Sequence, residues 1–325
     1  MNKLNITGTD WAPPERCDPE DNLRTCQTQR QWLQAMTLIG AHIGRDMRSS
    51  EMFSTGSDVV YGSDSMVIKL THPRWAHEVE NEARMLEIVG TDRQLHAPKF
   101  LCCGTLEGWP FVAMSRIPGE SIADVWPKLD PEARQDLALQ VGEWTHRLHQ
   151  LEAPPDRETW DRWLNALIVD AAARQSGTSV PEHLLMEIDP FIESGDIPQD
   201  RTPLVYLHTE IYDAHVLLSR APAGPWRVRG WIDFADGRLG HPFYDFPACI
   251  ELMFREDWES LHAFFRGYGF TPTTLNEEFA CTLLRWSLIH RFGRLTRWLE
   301  IAGDPTPKSL RELAMRVCAM GFIWK

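Results

Sequence analysis

The segment YLHTEIYDAHVLLS, residues 206–219, sets His208, Glu210 and His215 in a short polar stretch between the apolar runs PLVYL and VLLS. Packing alone rarely places three acid–base or ligand-forming groups between two strand-like segments. A carboxylate there can take a proton from a hydroxyl, and an imidazole can move a proton, steady an anion or bind a metal. Downstream, RGWIDFADGRLGHPFYDF puts Asp233 after a second apolar strand, where a carboxylate can grip Mg2+. Upstream, five of the six lysines (Lys3, Lys99, Lys128, Lys308 and Lys325) occupy polar or terminal positions, while Lys69 lies inside the apolar strand SMVIKL. A charge in such a strand costs free energy unless it is paired. The following helix, PRWAHEVENEARMLEIV, offers Glu78, Glu80 and Glu82 as partners. A strand lysine paired with a helix glutamate, a base near a hydroxyl and a metal-gripping aspartate are what phosphoryl transfer from a nucleotide requires. Taken singly, Lys69 could instead face solvent on an edge strand, and Asp233 could cap a turn.

The elements that must hold these groups fall into two textures. Residues 1–26 are rich in proline and charge and are expected to form a loose arm. TQRQWLQAMTLIGAHI has helical spacing through Trp32, Met36, Ile39 and Ile43. EMFSTGSDVVYGSDSMVIKL then reads as strands joined by Gly-Ser turns, followed by a helix opened by Pro73 with Val79, Ala83, Leu86 and Val89 on one face. PKFLCCGTLEGWPFVAMSRI reads as two more strands around a glycine turn, and PGESI breaks the pattern. Beyond Pro118 the chain is mainly helical, interrupted by the polar stretch and its strands, with RAPAGPWRVR as the turn segment between them. The expected layout is a small strand-rich lobe over residues 27–117 and a larger helical lobe over 118–325.

A chain of 325 residues favours two lobes. Its 43% hydrophobic and 24% charged residues are those of a globular protein. A net charge of -13 argues against a nucleic-acid partner, whose phosphates need a basic face. It suits a small cationic partner, although solubility alone accounts for it. Most of the fourteen tryptophans are assigned to the core or to contacts between helices. No apolar run approaches the ~20 residues of a membrane span, and the opening residues lack the apolar region of a cleaved leader. The seven cysteines are scattered, with Cys102 and Cys103 adjacent, a poor pattern for disulfides or a metal knuckle. A reducing, cytoplasmic setting is expected.

From residue 53 to 252 the chain resembles the aminoglycoside phosphotransferase family, antibiotic kinases with a protein-kinase-like fold. HTEIYDAH is similar to the family's H-x-D-x-x-x-x-N loop, WIDF to its I-D-[FLW] metal strand, and GHPFYDFPACI to its G-D-P-x-Y-D-L-A segment. STGSDVVYGSDSMVIKL is similar to its strand–loop–strand unit with lysine, EVENEARML to the helix with the paired glutamate, and VAMSRIPGESI to the hinge. The resemblance implies an α+β, bilobal protein-kinase-like fold, with a small β-rich N-lobe and a larger, mainly helical C-lobe. It implies ATP or GTP with Mg2+ as cofactors and transfer of the γ-phosphate to a hydroxyl of a small cationic acceptor, an aminoglycoside-type antibiotic first. Carried over position by position, Ser54, Thr55, Gly56 and Ser57 would cover the phosphates. Lys69, held by Glu82, would contact them. The backbone of Ser115 and Ile117 would meet the base, and Asp233 would bind Mg2+. Two positions depart from the pattern: Glu210 stands for the catalytic Asp, and His215 for the metal-binding Asn. Glutamate keeps the carboxylate but extends it. Histidine exchanges an oxygen ligand for a nitrogen, so His215 would either hold metal weakly or touch phosphate as a cation.

Three other readings compete: a nucleotide-binding pseudokinase without turnover, a choline- or sugar-type metabolite kinase on the same core, and a metal-dependent oxygenase using a His/Glu/His triad. A zinc deaminase lacks its P-C-x-x-C partner. His146 and His149 read as packing or surface residues and Asp245 as a brace for the loop. Asp236 and Glu251 are weak candidates for metal or substrate contact. A monomer or homodimer is expected.

Overall fold

The computed structural model describes residues 3–18, 22–54, 56–155, 157–176, 179–195, 197 and 201–319. The chain divides into two units, Met1–Gly119 with Arg229–Gly237, and Glu120–Val228 with Arg238–Lys325. The second crossing was not expected: it moves Asp233 out of the helical lobe and into the strand-rich one. No element boundary marks it, because β10 (below) runs straight through the division.

In the first unit six short strands pair into one sheet: β1 (Lys3–Ile6), β2 (Glu51–Met52), β3 (Val59–Gly62), β4 (Met66–Leu70), β5 (Phe100–Leu106) and β6 (Trp109–Ser115). Their order is β1-β5-β6-β4-β3-β2. All the pairings are antiparallel except β1, which lies parallel to β5 with Lys3 opposite Cys103 and Ile6 opposite Leu106. Residues expected to form a loose arm therefore supply an edge strand, and Trp11 beyond it is buried with Trp32 and Trp109. Cys17 and Cys26 also form a disulfide with Cα atoms 5.7 Å apart, against the expectation that no cysteines pair. A link between cysteines nine positions apart has no spacing motif to announce it.

Two helices flank the sheet. α1 (Gln29–His42) begins in a capping box between Thr28 and Gln31. It buries Trp32, Met36 and Ile39 against Ile68 and Leu70 of β4 and Phe111 of β6. α2 (Ala76–Val89) packs on β5 and β6. Because strand side chains alternate, the residue between Ile68 and Leu70 must point to the other face. That residue is Lys69, and it meets α2.

The second unit contains β7 (Glu120–Ser121), α3 (Ile122–Val125), α4 (Pro131–His149), α5 (Glu158–Val169), α6 (Ala171–Gln175), α7 (Glu182–Glu193), β8 (Val205–Leu207) and β9 (Val216–Arg220). β10 (Trp226–Trp231), β11 (Arg238–Gly240), α8 (Phe246–Ala248), α9 (Trp258–Tyr268), α10 (Glu277–Ile289), α11 (Leu295–Ala302) and α12 (Leu310–Ala319) follow. β7, β9 and β10 form one small sheet, and β8 and β11 a two-stranded pair. Rings of Phe246, Phe264, Phe265 and Phe270 fill the core beside α9. Among the described residues no helix is long and apolar enough to cross a membrane.

Candidate active site

Two clusters of functional groups form, one in each unit. In the first, the Lys69 ammonium lies 3.0 Å from Asp233 Oδ1, 3.3 Å from Asp58 Oδ2 and 3.4 Å from Glu82 Oε2. Only 11% of the Lys69 side chain and 2% of that of Glu82 is exposed, so this is a buried ion cluster and not an edge-strand lysine. Burial alone would lower the lysine's pKa, but the three carboxylates outweigh it and hold it well above its usual range. Burial raises Glu82 to about 7, against the pull of Lys69.

Each partner has a structural cause. Glu82 is on the buried face of α2. Asp58 was missed from the sequence, yet Val60 pairs with Lys69, and a residue two positions before Val60 shares its face. Asp233 has φ of 67°, a left-handed conformation that aspartate tolerates better than most residues. The turn after it is pinned by Asn81 of α2, whose amide donates to the carbonyls of Ala235 (2.6 Å) and Gly237 (2.7 Å). Asp236 is half-buried in this turn and is not among the carboxylates that pair with Lys69.

The loop expected to cover phosphates joins β2 to β3. Ser54, Gly56 and Ser57 are exposed, and Gly56 has φ of 89°; Thr55 lies outside the described residues. At the expected hinge, the Ser115 N–H donates to Lys99 O (2.9 Å) and its Oγ accepts from Lys99 N–H (2.8 Å). The Ser115 N–H is thus used within the protein. Among the described residues the Ile117 N–H has no such partner.

In the second unit the polar stretch follows β8. Asp245, fully buried, accepts from the N–H groups of His208 (3.1 Å) and Thr209 (2.5 Å) and contacts His149 Nε2 (2.9 Å). The Tyr268 hydroxyl contacts His149 Nδ1 at 2.8 Å, continuing the chain to α9. His208 is completely buried, and its Nδ1 accepts the Glu210 N–H. It therefore shapes the loop and is not placed to react, a correction to its expected catalytic role. His215 Nδ1 contacts Glu210 O at 3.1 Å, and its ring packs on Tyr212. His215 lies in the second unit and Asp233 in the first. Thr209 has φ of 71°, a genuine outlier for a β-branched residue. Such strain persists only where its surroundings over-determine it. Here Asp245 holds the Thr209 N–H, and His290 Nε2 lies 3.1 Å from its carbonyl. His290 Nδ1 accepts the Phe292 N–H, so the ring proton sits on Nε2 and is donated to Thr209. Burial lowers the His290 pKa to about 3, so the ring stays neutral. The sequence held no signal for this residue, which caps the end of α10.

Beside this loop is a small pocket lined by Glu210, Tyr212, Pro247, Leu252, Phe292 and Arg297 among others. Glu251 also borders it but does not form an acidic surface. It lies in a turn of π-helix, 2% exposed, and accepts from Ser287 Oγ (2.6 Å), Trp298 Nε1 (3.2 Å), Arg294 N (3.1 Å) and Arg297 Nη1 (3.1 Å). Its expected contact with substrate is corrected accordingly. Among the described residues no group of three or more His, Cys, Asp or Glu side chains is arranged to hold a metal ion.

Comparison with known proteins places this geometry. A family model described as "Phosphotransferase enzyme family" (APH) matches residues 54–277. The aminoglycoside phosphotransferase APH(3'')-Id from Streptomyces rimosus, solved with ADP and streptomycin, superposes with a TM-score of 0.55 at 18% identity, covering 79% of this chain and 98% of that one. ADP-bound aminoglycoside phosphotransferase APH(2'')-Ib gives 0.54 at 16% identity, covering 85% and 95%. Lysine-specific demethylase JMJ21 of Arabidopsis thaliana is 22% identical over 205 residues, covering 50% of this chain. The chain spans about a fifth (21%) of the length of that curated relative.

Proposed function

This chain belongs to the phosphotransferase enzyme family, and from that premise we propose that it moves the γ-phosphate of ATP or GTP to a hydroxyl of a small molecule. The observation that carries the reading is the Lys69 ammonium buried among Asp58, Glu82 and Asp233. A single cation facing three carboxylates leaves an excess of negative charge in a buried place, which a cation brought with the nucleotide would offset. Lys69 would hold phosphate oxygens, and Asp233 would hold Mg2+. When bound, Mg2+ neutralises charge on the transferring group.

The chain's own contribution is positioning and proton transfer. Glu210 takes the hydroxyl proton of the acceptor. The hydroxyl oxygen then forms its bond to the terminal phosphorus as the bond to the diphosphate's bridging oxygen breaks. Asp245 and His290 fix the backbone on which Glu210 rides, so the longer glutamate works from a rigid base. A displacement near 1 Å at such a site costs ~10²-fold in rate, which is why strain at Thr209 is retained. The solved relatives, named for aminoglycosides and holding ADP, support a nucleotide donor and a small-molecule acceptor.

The test pairs thermal melts with an ADP-release assay. Mg·ATP at 100 times its Kd should stabilise the native chain by ~2.7 kcal/mol. Asp233→Asn should lose the magnesium-dependent part of that shift. Glu210→Gln should keep the shift and lose at least ~10²-fold in transfer. No shift with either Mg·ATP or Mg·GTP sinks the reading, while binding without transfer to any acceptor would favour a pseudokinase.

A further inference from the structure

Phosphoryl transfer has no call on Asp58, yet this carboxylate sits on the lysine that the transfer needs. Its Oδ2 lies 3.3 Å from the Lys69 ammonium, alongside Asp233 at 3.0 Å and Glu82 at 3.4 Å. The Asp58 side chain is 10% exposed, and Lys69 is the cation that offsets its burial. In the empty chain, then, the ammonium expected to hold phosphate oxygens is already held by an anion of the chain's own.

The same hairpin builds a second place for that carboxylate. Val59 pairs with Leu70 and Val60 with Lys69. Continued one step, the register sets Asp58 opposite Thr71, on the face that carries Lys69. Residues opposite each other on one face have Cβ atoms about 4.5–5.5 Å apart, within reach of a short carboxylate and a hydroxyl. Thr71 is completely buried, and among the described residues its Oγ1 has no hydrogen-bond partner. A buried hydroxyl without a partner is destabilising, so its retention there calls for a use.

We propose that Asp58 is a resident counter-anion of Lys69, which the donor's phosphates displace onto the Thr71 hydroxyl. The inference rests on the phosphotransferase reading of Lys69. With nucleotide bound, phosphate oxygens take the ammonium, and Thr71 donates its hydrogen bond to the displaced carboxylate. Binding must first break the Asp58–Lys69 pair, so the apparent affinity falls in proportion to the fraction of empty chains in which Lys69 is released. A ligand without phosphates leaves the pair in place.

Calorimetry on the intact chain with ADP and with adenosine, both without magnesium, tests the exchange. Asp58→Asn should tighten ADP about tenfold and leave adenosine unchanged. Lys69 keeps Glu82 and Asp233 as partners in that variant, so its charge is not orphaned. Thr71→Val should act in the opposite direction, weakening ADP several-fold. The empty Thr71→Val chain should melt no lower than the native one, because the hydroxyl it loses was unpaired. Melting temperatures are measured for both variants, and Thr71→Val carries the result if Asp58→Asn unfolds. Equal or weaker ADP binding by Asp58→Asn overturns the inference. So does an equal gain for adenosine, or a Thr71→Val chain that binds ADP as the native one does. Any of these, with ADP bound by the native chain, leaves the phosphotransferase reading standing. A native chain that binds neither ADP nor Mg·ATP strikes that reading, and this inference with it.

Discussion

At the scale of single residues, the informative groups are those whose protonation differs from that of an exposed side chain. Glu82 is raised from 4.5 to about 7, burial being the main cause and the Lys69 charge opposing it. The unfolded chain therefore releases this proton first as pH rises. Stability contributed by the neutral form is complete below about pH 4.5 and lost as pH passes through about 7. Glu82→Gln, which stays neutral, should flatten that decline in urea midpoints measured across the window. His290 behaves in the opposite sense. Its ring is held neutral to about pH 3 against a usual 6.5, so acid protonates the unfolded chain first, and stability falls as pH drops through this range. His290→Gln should make the acid limb shallower in the same measurement. His290→Ala should also lower transfer by ~10-fold to ~10²-fold by releasing the Thr209 carbonyl, with nucleotide binding unchanged. A purely structural histidine would move stability and leave that ratio untouched.

At the scale of elements, the active loop depends on how closely two helices approach. A Cβ on Gly142 of α4 would come within 2.0 Å of the Phe264 carbonyl of α9, and one on Gly267 of α9 within 2.1 Å of the Leu139 carbonyl of α4. The two backbones touch through reciprocal glycines, and this contact brings His149 at the end of α4 to Tyr268 at the end of α9. His149 then meets Asp245, which holds the loop. Gly142→Val should force the helices apart, costing at least ~1–3 kcal/mol from overpacking. Transfer should fall more steeply than stability, because the same shift breaks the His149–Tyr268 link. Comparing initial rates at a temperature where the variant is fully folded by circular dichroism checks this. An unchanged rate in folded protein would show that the brace does not reach the loop. α2 plays a similar part in the other unit, since Asn81 and Glu82 are adjacent on it and grip the Asp233 turn and Lys69 respectively. Asn81→Ala should weaken magnesium-dependent nucleotide binding and cost ~1–3 kcal/mol for two buried carbonyls left without donors.

At the scale of the whole molecule, what the sequence revealed follows from the range over which each pattern acts. Strand alternation and helix spacing are local, and they placed Lys69, the helix carrying Glu82 and the strand before Asp233. Asp245 as a brace was legible from its position after GHPFY. Asp58 was not, because its pairing with Lys69 needs the register of the β3–β4 hairpin. His290 and Asn81 were not either, being 81 and 154 residues from the backbone atoms they hold. Parallel pairing of β1 with β5 is likewise set across about a hundred residues, Lys3 to Cys103. Glu251, a weak candidate for substrate contact, turned inward to four donors. Such long-range closure yields a prediction about the chain as a whole. Residues 229–237 complete the first unit: Trp231 N–H bonds His96 O at 3.1 Å, and Asp233 supplies the carboxylate nearest Lys69. A fragment ending at residue 119 would keep the sheet but lose that segment. It should unfold at lower urea than the intact chain and show no melt shift with Mg·ATP, and a peptide of residues 225–240 supplied in excess should restore part of both. Nucleotide binding by the fragment alone, undiminished, would mean that Lys69 and Glu82 suffice and that Asp233 is not needed to hold the donor.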